Sequence, residues 1–268
     1  MYLSSTSPRF CVLIPCLNEE RAIGPLLQAV LAHCADVIVV DDGSDDHTPQ
    51  IASALPVILL RHQTRRGKGE ALRTGFREAL VRGYDAVLTM DGDGQHAPDD
   101  IPRIVDAALR FPHHMVIGAR LLNRAQQPGG RHAANDFADW GISWGCGRAV
   151  ADTQSGQRWY PRKAVELVEL RAQDFVFEAA ILIAASRELD MGIVSVPIES
   201  RYQGEFRLSH FRPVRDVARI TCYTIGRVIH YRDIVASYRR SHGLPPLIHD
   251  PEGLCGGPDA RTARFGHT

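Results

Sequence analysis

The chain has 268 residues, of which 44% are hydrophobic, enough for one large globular domain or at most two small ones. Basic and acidic residues balance at 31 each, which argues against a nucleic-acid-binding protein, and the six scattered cysteines form no C-x-x-C pair that would indicate a zinc cluster. With no secretory signal and no apolar run near the roughly 20 residues that span a bilayer, we expect a cytoplasmic protein with reduced thiols, or one bound peripherally to the inner face of the cell membrane.

Residues 10–120 alternate short apolar runs with amphipathic stretches, a pattern typical of βα units on a parallel sheet. The helix predicted over 67–82 carries its apolar residues on one face. In chain order the predicted elements are strand 10–15, a helix from about 19 to 33, strand 36–41, a short helix, strand 57–60, helix 67–82, strand 86–90, a helix near 98–111 and strand 115–118. The first part of the chain therefore predicts an α/β fold.

The pattern changes beyond Arg120, where residues 121–133 predict a mobile loop. The later predicted elements are helix 135–149, helix 175–189, strand 193–198 and a basic helical stretch over 214–240. Residues 243–268 contain prolines and a Gly-Gly pair, which indicate a disordered tail. We therefore divide the chain into a main domain over 1–212, a C-terminal basic helical segment over 213–242 that could lie on a membrane surface, and a tail over 243–268.

Acidic clusters follow three of the predicted strands: 18–20, 41–46 and 91–96. The carboxyl ends of parallel strands meet at one edge of a sheet, where open α/β sheets bind ligands. Asp91 and Asp93, one residue apart, could share a hard cation such as Mg²⁺, which usually keeps substrate phosphates in its remaining positions. The simpler alternative is an Asp/Gly turn that ends a strand.

A rim this acidic is costly unless cations or hydrogen-bond donors neutralise it. It would bind phosphate only together with a metal or with basic residues. Arg65, Arg66, Lys68 and Arg120 follow predicted strands and could meet that need, although for each one alone a solvated surface charge is the favoured interpretation.

Four motifs occur in an order and spacing that resemble family-two inverting glycosyltransferases. They are Val12-Leu13-Ile14-Pro15 leading to Asn18-Glu19, Val39-Val40-Asp41-Asp42-Gly43-Ser44, Gly67-Lys68-Gly69 and Asp91-Gly92-Asp93-Gly94-Gln95-His96. The resemblance covers about residues 10–210 and is strongest to the branch of dolichol-phosphate mannosyltransferase and its bacterial relatives. It implies a GT-A fold, with a mostly parallel central sheet, helices on both faces and a C-terminal helical extension.

The resemblance also implies roles for individual residues. Asp91 would face the ribose and the metal, Asp93 would bind the Mg²⁺ or Mn²⁺ that bridges the diphosphate, and Gln95 would complete the metal shell. Arg120 would face the donor, and Asp42 would hold the base or ribose. The other residues expected to bind the nucleotide sugar are Pro15, Asn18, Glu19, Lys68, Arg158 and Arg207.

Two segments depart from the family pattern. Gln157, in the segment 155–158, replaces a usual aromatic residue. Arg207, in the segment 204–209, replaces a usual lysine, keeps the positive charge and adds bidentate phosphate contacts.

The expected acceptor is a polyprenyl phosphate, which is already a nucleophile at neutral pH because the second pKa of a phosphate monoester is near 6. An alcohol acceptor would instead need a base, and Glu178 lies roughly where hydroxyl-using relatives carry a catalytic aspartate. Glu178 could equally be a helix-face residue paired with an arginine. Asp174 is a second candidate base, and more simply a helix N-cap.

A lipid acceptor would favour contact with a membrane. Phe137, Trp140 and Trp144 could form an apolar surface for a lipid chain. The arginines that could meet anionic headgroups, unless they form a solvated helix face, are Arg215, Arg219, Arg227, Arg232, Arg239 and Arg240.

Other classes fit less well. A nucleotidyltransferase would carry a glycine-rich basic loop, and a Rossmann dehydrogenase a G-x-G-x-x-G motif, where this chain has the acidic segment 16–20. A nucleotide-sugar sensor without turnover remains an alternative, although Asp91, Asp93 and Arg120 favour an enzyme. The twelve histidines form no helical metal-binding pair, so we interpret them, including His62 and His96, as ordinary polar residues, with only His96 near the site.

Overall fold

A computed structural model describes residues 8–123, 129–172, 174–199 and 213–255, and for 129–135 and 213–215 it describes the backbone alone. Its centre is a seven-stranded sheet with the strand order β3-β2-β1-β4-β6-β5-β7. All neighbours are parallel except β6, which runs antiparallel to β4 and β5. The strands are β1 Phe10–Cys16, β2 Val37–Asp41, β3 Ile58–Arg61, β4 Ala86–Thr89, β5 His114–Ala119, β6 Arg158–Pro161 and β7 Gly192–Pro197.

Helices cover both faces of the sheet. They are α1 Ile23–Leu31, α2 Thr48–Ser53, α3 Lys68–Val81, α4 Ile101–Arg110, α5 Gly129–Cys146, α6 Arg162–Val165, α7 Val176–Glu188, α8 Pro213–Tyr231 and α9 Ile234–Gly243. Short 3₁₀ turns at Pro98–Asp100 and Glu166–Glu169 flank α4 and α6.

The sheet separates two hydrophobic layers, because alternate residues of each strand point to opposite faces. Leu13 of β1 joins Phe76 of α3 and Phe177 of α7 on one side. Ile14 of the same strand joins Leu27 of α1 and Ile104 of α4 on the other. The predicted α/β fold, mostly parallel with helices on both faces, is thus confirmed.

Strand β6 is the element that the sequence did not predict. It has four residues, begins with a buried arginine and ends with a proline, so it shows neither alternation nor an apolar run. Its antiparallel register pairs Arg158 with Thr89, the last residue of β4, and the Thr89 hydroxyl donates to the carbonyl of Gly156 at 2.8 Å. The segment 155–158 is thereby held at the carboxyl end of β4.

The C-terminal region differs from the prediction in two respects. The helical stretch predicted as one piece is broken into α8 and α9, and Arg232 between them has a φ of +56°. Part of the predicted disordered tail is also ordered, since Leu247 and His249 pair with Ser195 of β7 at 2.9 Å. Pro245 and Pro246 lie immediately before this paired segment, and Pro251 lies in a turn after it. Within the described parts of the chain, no helix combines the length and the apolar character needed to cross a membrane.

Candidate active site

The loops after β1 and β2 form one half of the rim at the carboxyl end of the sheet. Asn18, in the left-handed region with φ +56°, donates its N–H to Ser44 Oγ at 2.8 Å and accepts from the N–H of Asp45 at 3.0 Å. The Glu19 N–H donates to Thr48 Oγ1 at 2.7 Å. Pro15 lies buried at the end of β1. The predicted nucleotide residues of this half are therefore brought together and fixed by hydrogen bonds between the two loops.

Asp42, just after β2, is 3% exposed and has several hydrogen-bond partners. Its Oδ1 lies 2.7 Å from His62 Nδ1 and accepts from the N–H of Arg66 at 2.8 Å, while its Oδ2 accepts from the N–H of Gly67 at 2.7 Å. Its described partners are thus protein groups, and they hold the loop that leads into α3.

Lys68, the first residue of α3, connects this loop to the other half of the rim. Its ammonium lies 2.7 Å from Asp91 Oδ1 and 3.1 Å from Glu178 Oε2. Burial alone would lower the pKa of Lys68, but the two carboxylates outweigh it and raise that pKa above its usual value. Burial would likewise raise the pKa of Asp91, and the Lys68 charge, helped by neighbouring groups, instead lowers it to about 2. Asp91 is thus held as a carboxylate at neutral pH.

Asp93 lies at the exposed edge of the same rim. Its Oδ1 accepts from the Gln95 N–H at 3.0 Å, which folds the turn after β4 back on itself. Loss of hydration beside the neighbouring residues, followed by the Asp91 charge, raises the pKa of Asp93 to about 6. An opposite charge placed between Asp91 and Asp93 would relieve this repulsion.

The donor set suits a metal that takes only part of its coordination from protein. In the described ranges, no group of three or more His, Cys, Asp or Glu side chains is arranged to hold a metal ion. Two carboxylates fit Mg²⁺ or Mn²⁺ shared with a diphosphate, because hard cations of this kind keep waters and substrate phosphates as ligands. Two carboxylates on one turn after β4, with loss of hydration and then the Asp91 charge raising the pKa of Asp93, favour a cation there.

Gly156 packs directly against the Asp91 side chain. A Cβ at this position would overlap the Asp91 carboxylate, with 2.6 Å to its Oδ1. His96 is 4% exposed, its Nε2 lies 3.5 Å from Ser155 Oγ, and burial lowers the pKa of its ring to about 4. A neutral histidine and a glycine therefore enclose Asp91 on the β6 side.

Arg120 follows β5 and forms a bidentate pair with Asp152. Its Nε and Nη2 lie 2.8 and 2.6 Å from the two carboxylate oxygens, and its backbone N–H donates to Asp152 at 2.7 Å. Asp139 of α5 in turn accepts the N–H groups of Asp152 and Thr153. Arg120 is therefore oriented at the rim by an aspartate 32 residues away, which the sequence analysis did not single out.

Arg158 does not face the open rim. It is 2% exposed, and its guanidinium donates to the carbonyls of Ser155 and Thr153 at 2.6 Å and of Glu178 at 3.3 Å. These contacts brace the segment behind Asp91, and a role of Arg158 in binding the nucleotide sugar stays a prediction. Arg207 lies outside the described residues.

The two candidate bases on the α7 side are both in ion pairs. Glu178 is 7% exposed and holds Lys68. Asp174 lies 2.9 Å from Arg219 of α8, and no side-chain cap is found at the start of α7. Gly67 and Gly69 pack directly against Asp174, where side chains would collide with it. This contact seats the Gly-Lys-Gly segment against the residues just before α7.

An aromatic cluster lies on the surface where α5 meets α9. Its centre is Trp140, whose ring lies 5.8 Å from Phe137, 5.7 Å from Trp144, 6.4 Å from Tyr238 and 5.8 Å from His242. Phe137 is 47% exposed, Tyr238 41% and Trp140 40%, which is high for large rings. We refer to these five residues as the aromatic cluster.

Half of the predicted headgroup arginines are engaged within the protein. Arg219 pairs with Asp174, Arg227 with Glu188 and Arg240 with Asp233. Arg232 and Arg239 are exposed, and the side chain of Arg215 is not described.

Known proteins are similar to this chain in sequence. The family model for Glycosyl transferase family 2 matches residues 11–164. UDP-N-acetylglucosamine–dolichyl-phosphate N-acetylglucosaminyltransferase of Methanococcus voltae is 30% identical over 246 residues, covering 82% of this chain and 93% of its own. Polyprenol monophosphomannose synthase of Mycolicibacterium smegmatis is 31% identical over 208 residues, covering 71% of this chain and 76% of its own.

A solved structure has the same fold. Glucosyl-3-phosphoglycerate synthase from Mycobacterium tuberculosis, in complex with Mn²⁺ and UDP-glucose, superposes with a TM-score of 0.60 at 23% identity, covering 83% of this chain and 78% of that chain. From the family match, the relatives and this fold, the chain belongs to glycosyl transferase family 2 and is a glycosyltransferase with the GT-A fold.

Proposed function

We propose that the protein transfers a sugar, with inversion, from a nucleotide-diphosphate sugar to a polyprenyl phosphate. The relatives from Methanococcus voltae and Mycolicibacterium smegmatis are named for dolichyl-phosphate and polyprenol substrates, which supports this acceptor class. The observation in this chain that carries the proposal is the ion pair between Glu178 and Lys68.

That ion pair bears on how the acceptor is activated. An alcohol must lose a proton to a positioned base as it attacks, whereas a phosphate monoester arrives ionised near neutral pH. Glu178 is buried and binds the ammonium of Lys68, so accepting a proton would leave that ammonium without one of its two counter-charges. Glu178 therefore serves the site as a partner of Lys68, and the acceptor that fits this arrangement is the ionised phosphate.

The reaction is a single displacement at the anomeric carbon. A phosphate oxygen of the acceptor attacks the face opposite the diphosphate, the bond from the anomeric carbon to the diphosphate oxygen breaks, and both electrons leave with the nucleoside diphosphate. A divalent cation held by Asp91 and Asp93 would supply charge neutralisation for this leaving group. Lys68 keeps Asp91 ionised, and Arg120, held in place by Asp152, supplies a fixed positive charge at the same rim.

The remaining residues are assigned to donor binding. Pro15, Asn18, Glu19 and Asp42 lie on the β1–β2 side, where the nucleotide would bind, and Gln95 lies beside Asp93, where its side chain could complete the metal shell. Arg207 stays a prediction for the diphosphate.

Product formation across donors and acceptors tests the proposal. The purified full chain is incubated with UDP- and GDP-linked sugars, Mg²⁺ or Mn²⁺, and either a polyprenyl phosphate or a matched polyprenol. We expect labelled sugar in the lipid fraction with the phosphate alone, linked through an anomeric configuration opposite to that of the donor. Transfer to the polyprenol with none to the phosphate would contradict the proposal and assign an alcohol-transferring activity.

We further propose that the aromatic cluster contacts the membrane that contains the acceptor. Trp and Tyr rings are favoured at membrane interfaces because one edge is apolar and the other can hydrogen-bond to water and headgroups. The exposed Arg232 and Arg239 on the same C-terminal segment would meet anionic headgroups, each worth about 1 kcal/mol near a charged surface.

Vesicle sedimentation tests this surface. Phe137→Ala and Trp140→Ala are compared with Val81→Ala, which removes an 83% exposed apolar side chain at the end of α3. We expect binding to phosphatidylglycerol-containing vesicles to weaken about tenfold, equivalent to about 1.4 kcal/mol, in the first two variants only. Equal binding by all three variants, at wild-type melting temperature, would exclude the aromatic cluster as the contact.

A further inference from the structure

A hydrogen-bonded relay of buried and partly buried side chains runs from α3 to the rim. His62, just after β3, is 6% exposed, and its two ring nitrogens are both engaged. Nδ1 lies 2.7 Å from Asp42 Oδ1, and Nε2 lies 2.9 Å from Thr74 Oγ1 on α3. Neither His62 nor Thr74 reaches the open rim through a described contact.

We propose that His62 is a positioning residue for the donor site, acting through Asp42 on the loop that places Lys68. This inference rests on the proposed function, since it concerns the charge arrangement that would receive a nucleotide diphosphate. It gives Asp42 a role in holding the loop 64–67, in addition to any contact with the nucleotide.

The polarity of the relay follows from the hydrogen-bonding capacity of each group. An ionised carboxylate only accepts, so His62 Nδ1 must carry a proton and donate to Asp42. Nε2 shares the second hydrogen bond with the Thr74 hydroxyl, whose oxygen can either donate or accept. The ring is thereby held at both ends, which fixes where Asp42 Oδ1 lies.

Asp42 passes this restraint to the backbone. Its two oxygens accept the N–H groups of Arg66 and Gly67, the two residues before Lys68. Gly67 has a φ of +96°, and its carbonyl accepts the first helical N–H groups of α3, from Glu70 and Ala71. The conformation of Gly67 thus sets the direction in which α3 begins and from which Lys68 extends.

The loop is also pressed against the turn that carries Asp42. A Cβ on Gly43, which has a φ of +83°, would lie 2.9 Å from the N atom of Arg65 and 3.0 Å from the carbonyl carbon of Thr64. Because the two backbones touch, a small displacement of Asp42 moves the loop as a unit. Lys68 would then lose its 2.7 Å contact with Asp91.

Two histidine substitutions separate positioning from packing. The amide nitrogen of Asn lies near the place of Nδ1, so His62→Asn keeps a donor for Asp42 and gives up Thr74. The longer side chain of His62→Gln reaches the place of Nε2 and gives up the donor to Asp42. His33→Asn, at an exposed histidine after α1, is the control for a histidine substitution without a relay.

The first readout is hydrogen exchange of the amides of Arg66 and Gly67, which does not require transfer activity. We expect exchange to quicken about tenfold in His62→Gln and to stay near wild type in His62→Asn and His33→Asn, as for the loss of one hydrogen bond to a charged group. The second readout is binding of UDP and of GDP, with kcat and donor KM where transfer is seen. We expect kcat/KM to fall about tenfold in His62→Gln only, as expected when Lys68 is displaced.

Equal exchange rates and equal kinetics in the Asn and Gln variants would overturn the inference. If His62 contributed packing alone, the two substitutions would have the same effect. If His62→Gln does not fold, His62→Asn decides, and quickened exchange at Arg66 and Gly67 in that folded variant would count against the relay. A wild-type chain that transfers no sugar, yet shows the expected exchange pattern, would contradict the proposed function and leave the relay standing.

Discussion

Asp42 and Asp93 are the same residue type at the same kind of position, shortly after a parallel strand, but their surroundings differ. Asp42 is 3% exposed and bonded to His62, Arg66 and Gly67. Asp93 is exposed, accepts one described hydrogen bond, and lies beside the charge of Asp91, which contributes to raising its pKa to about 6.

The difference shows that carboxylates at the same edge of the sheet can have different roles. On the β2 side, groups of the protein form hydrogen bonds with the Asp42 carboxylate, and two of these bonds hold the loop before α3. On the β4 side, Lys68 pairs with Asp91, whereas Asp93 has no described ion pair and carries a perturbed pKa, as is typical of functional sites. Substitution on the first side should therefore affect stability as well as activity, and on the second side activity alone.

The largest effect is expected for Asp93→Asn. If a metal at Asp93 neutralises the leaving diphosphate, transfer should fall at least about 10³-fold, since such stabilisation is worth several kcal/mol. The melting temperature should stay equal or rise, because the fold already disfavours the ionised form of Asp93. Transfer is measured with excess Mg²⁺ or Mn²⁺ and again with chelator, and Asp99→Asn on the exposed face before α4 is the control. Full activity of the wild type in chelator would contradict the proposal that a divalent cation at Asp93 is needed for transfer.

The next effect concerns the glycine that packs against Asp91. Gly156→Ala would drive a methyl group into the Asp91 carboxylate and displace it from Lys68, and we expect about a 10²-fold loss of kcat/KM, as for other misplaced groups in active sites. Gly226→Ala on α8 is the matched control, since a Cβ there meets nothing within 4 Å. An active Gly156→Ala enzyme would show that the position of Asp91 is not critical.

The third effect tests the β2 side. Each oxygen of the Asp42 carboxylate accepts a hydrogen bond from a backbone N–H. In Asp42→Asn an NH₂ group replaces one of these oxygens, so at least one backbone N–H loses its acceptor. Leaving such a buried donor unpaired costs about 1–3 kcal/mol. Urea unfolding should show this loss of stability, while Asp93→Asn shows none. Equal stability of the two variants would remove the distinction between the two halves of the rim.

The smallest effect is expected for Glu178→Gln. The amide oxygen can still accept from Lys68, and an ionised phosphate acceptor needs no base, so kcat with polyprenyl phosphate should fall less than about tenfold. Loss of a positioned base would instead cost about 10²–10⁴-fold, with donor binding intact. Single-turnover rates with saturating donor distinguish the two outcomes, and the larger loss would point to an alcohol acceptor.

The sequence predicted the part of this site that depends on local pattern. Apolar runs ending in Asp41-Asp42 and in Asp91-Gly92-Asp93 identify parallel strands, and parallel strands place their carboxyl ends at one edge. The fold class and the family followed from these motifs and their order. Residue roles within the rim did not, because they depend on which partners tertiary packing brings to each carboxylate.

Three examples show where local pattern was insufficient. Pairing of strand β6 places Gly156, which precedes it, against Asp91, 65 residues earlier in the chain. No periodicity identifies a four-residue strand that begins with arginine. Arg158, expected from the resemblance to bind the nucleotide sugar, is buried, and its guanidinium bonds to internal acceptors that the sequence pattern did not reveal. His62 gave no signal, since the relay is completed by groups 20 residues before and 12 residues after it.

The segment beside β7 has a consequence for the behaviour of the chain in solution. β7 is the last strand of the sheet, and the backbone of Ser195 is paired by Leu247 and His249, while His249 Nε2 lies 2.9 Å from Asp106 of α4. An uncovered edge strand offers free N–H and C=O groups to any other strand, including the same strand of another copy. A chain cut after Gly243 would lose the pairing at Ser195, and we expect it to associate in a concentration-dependent way that size-exclusion chromatography would detect.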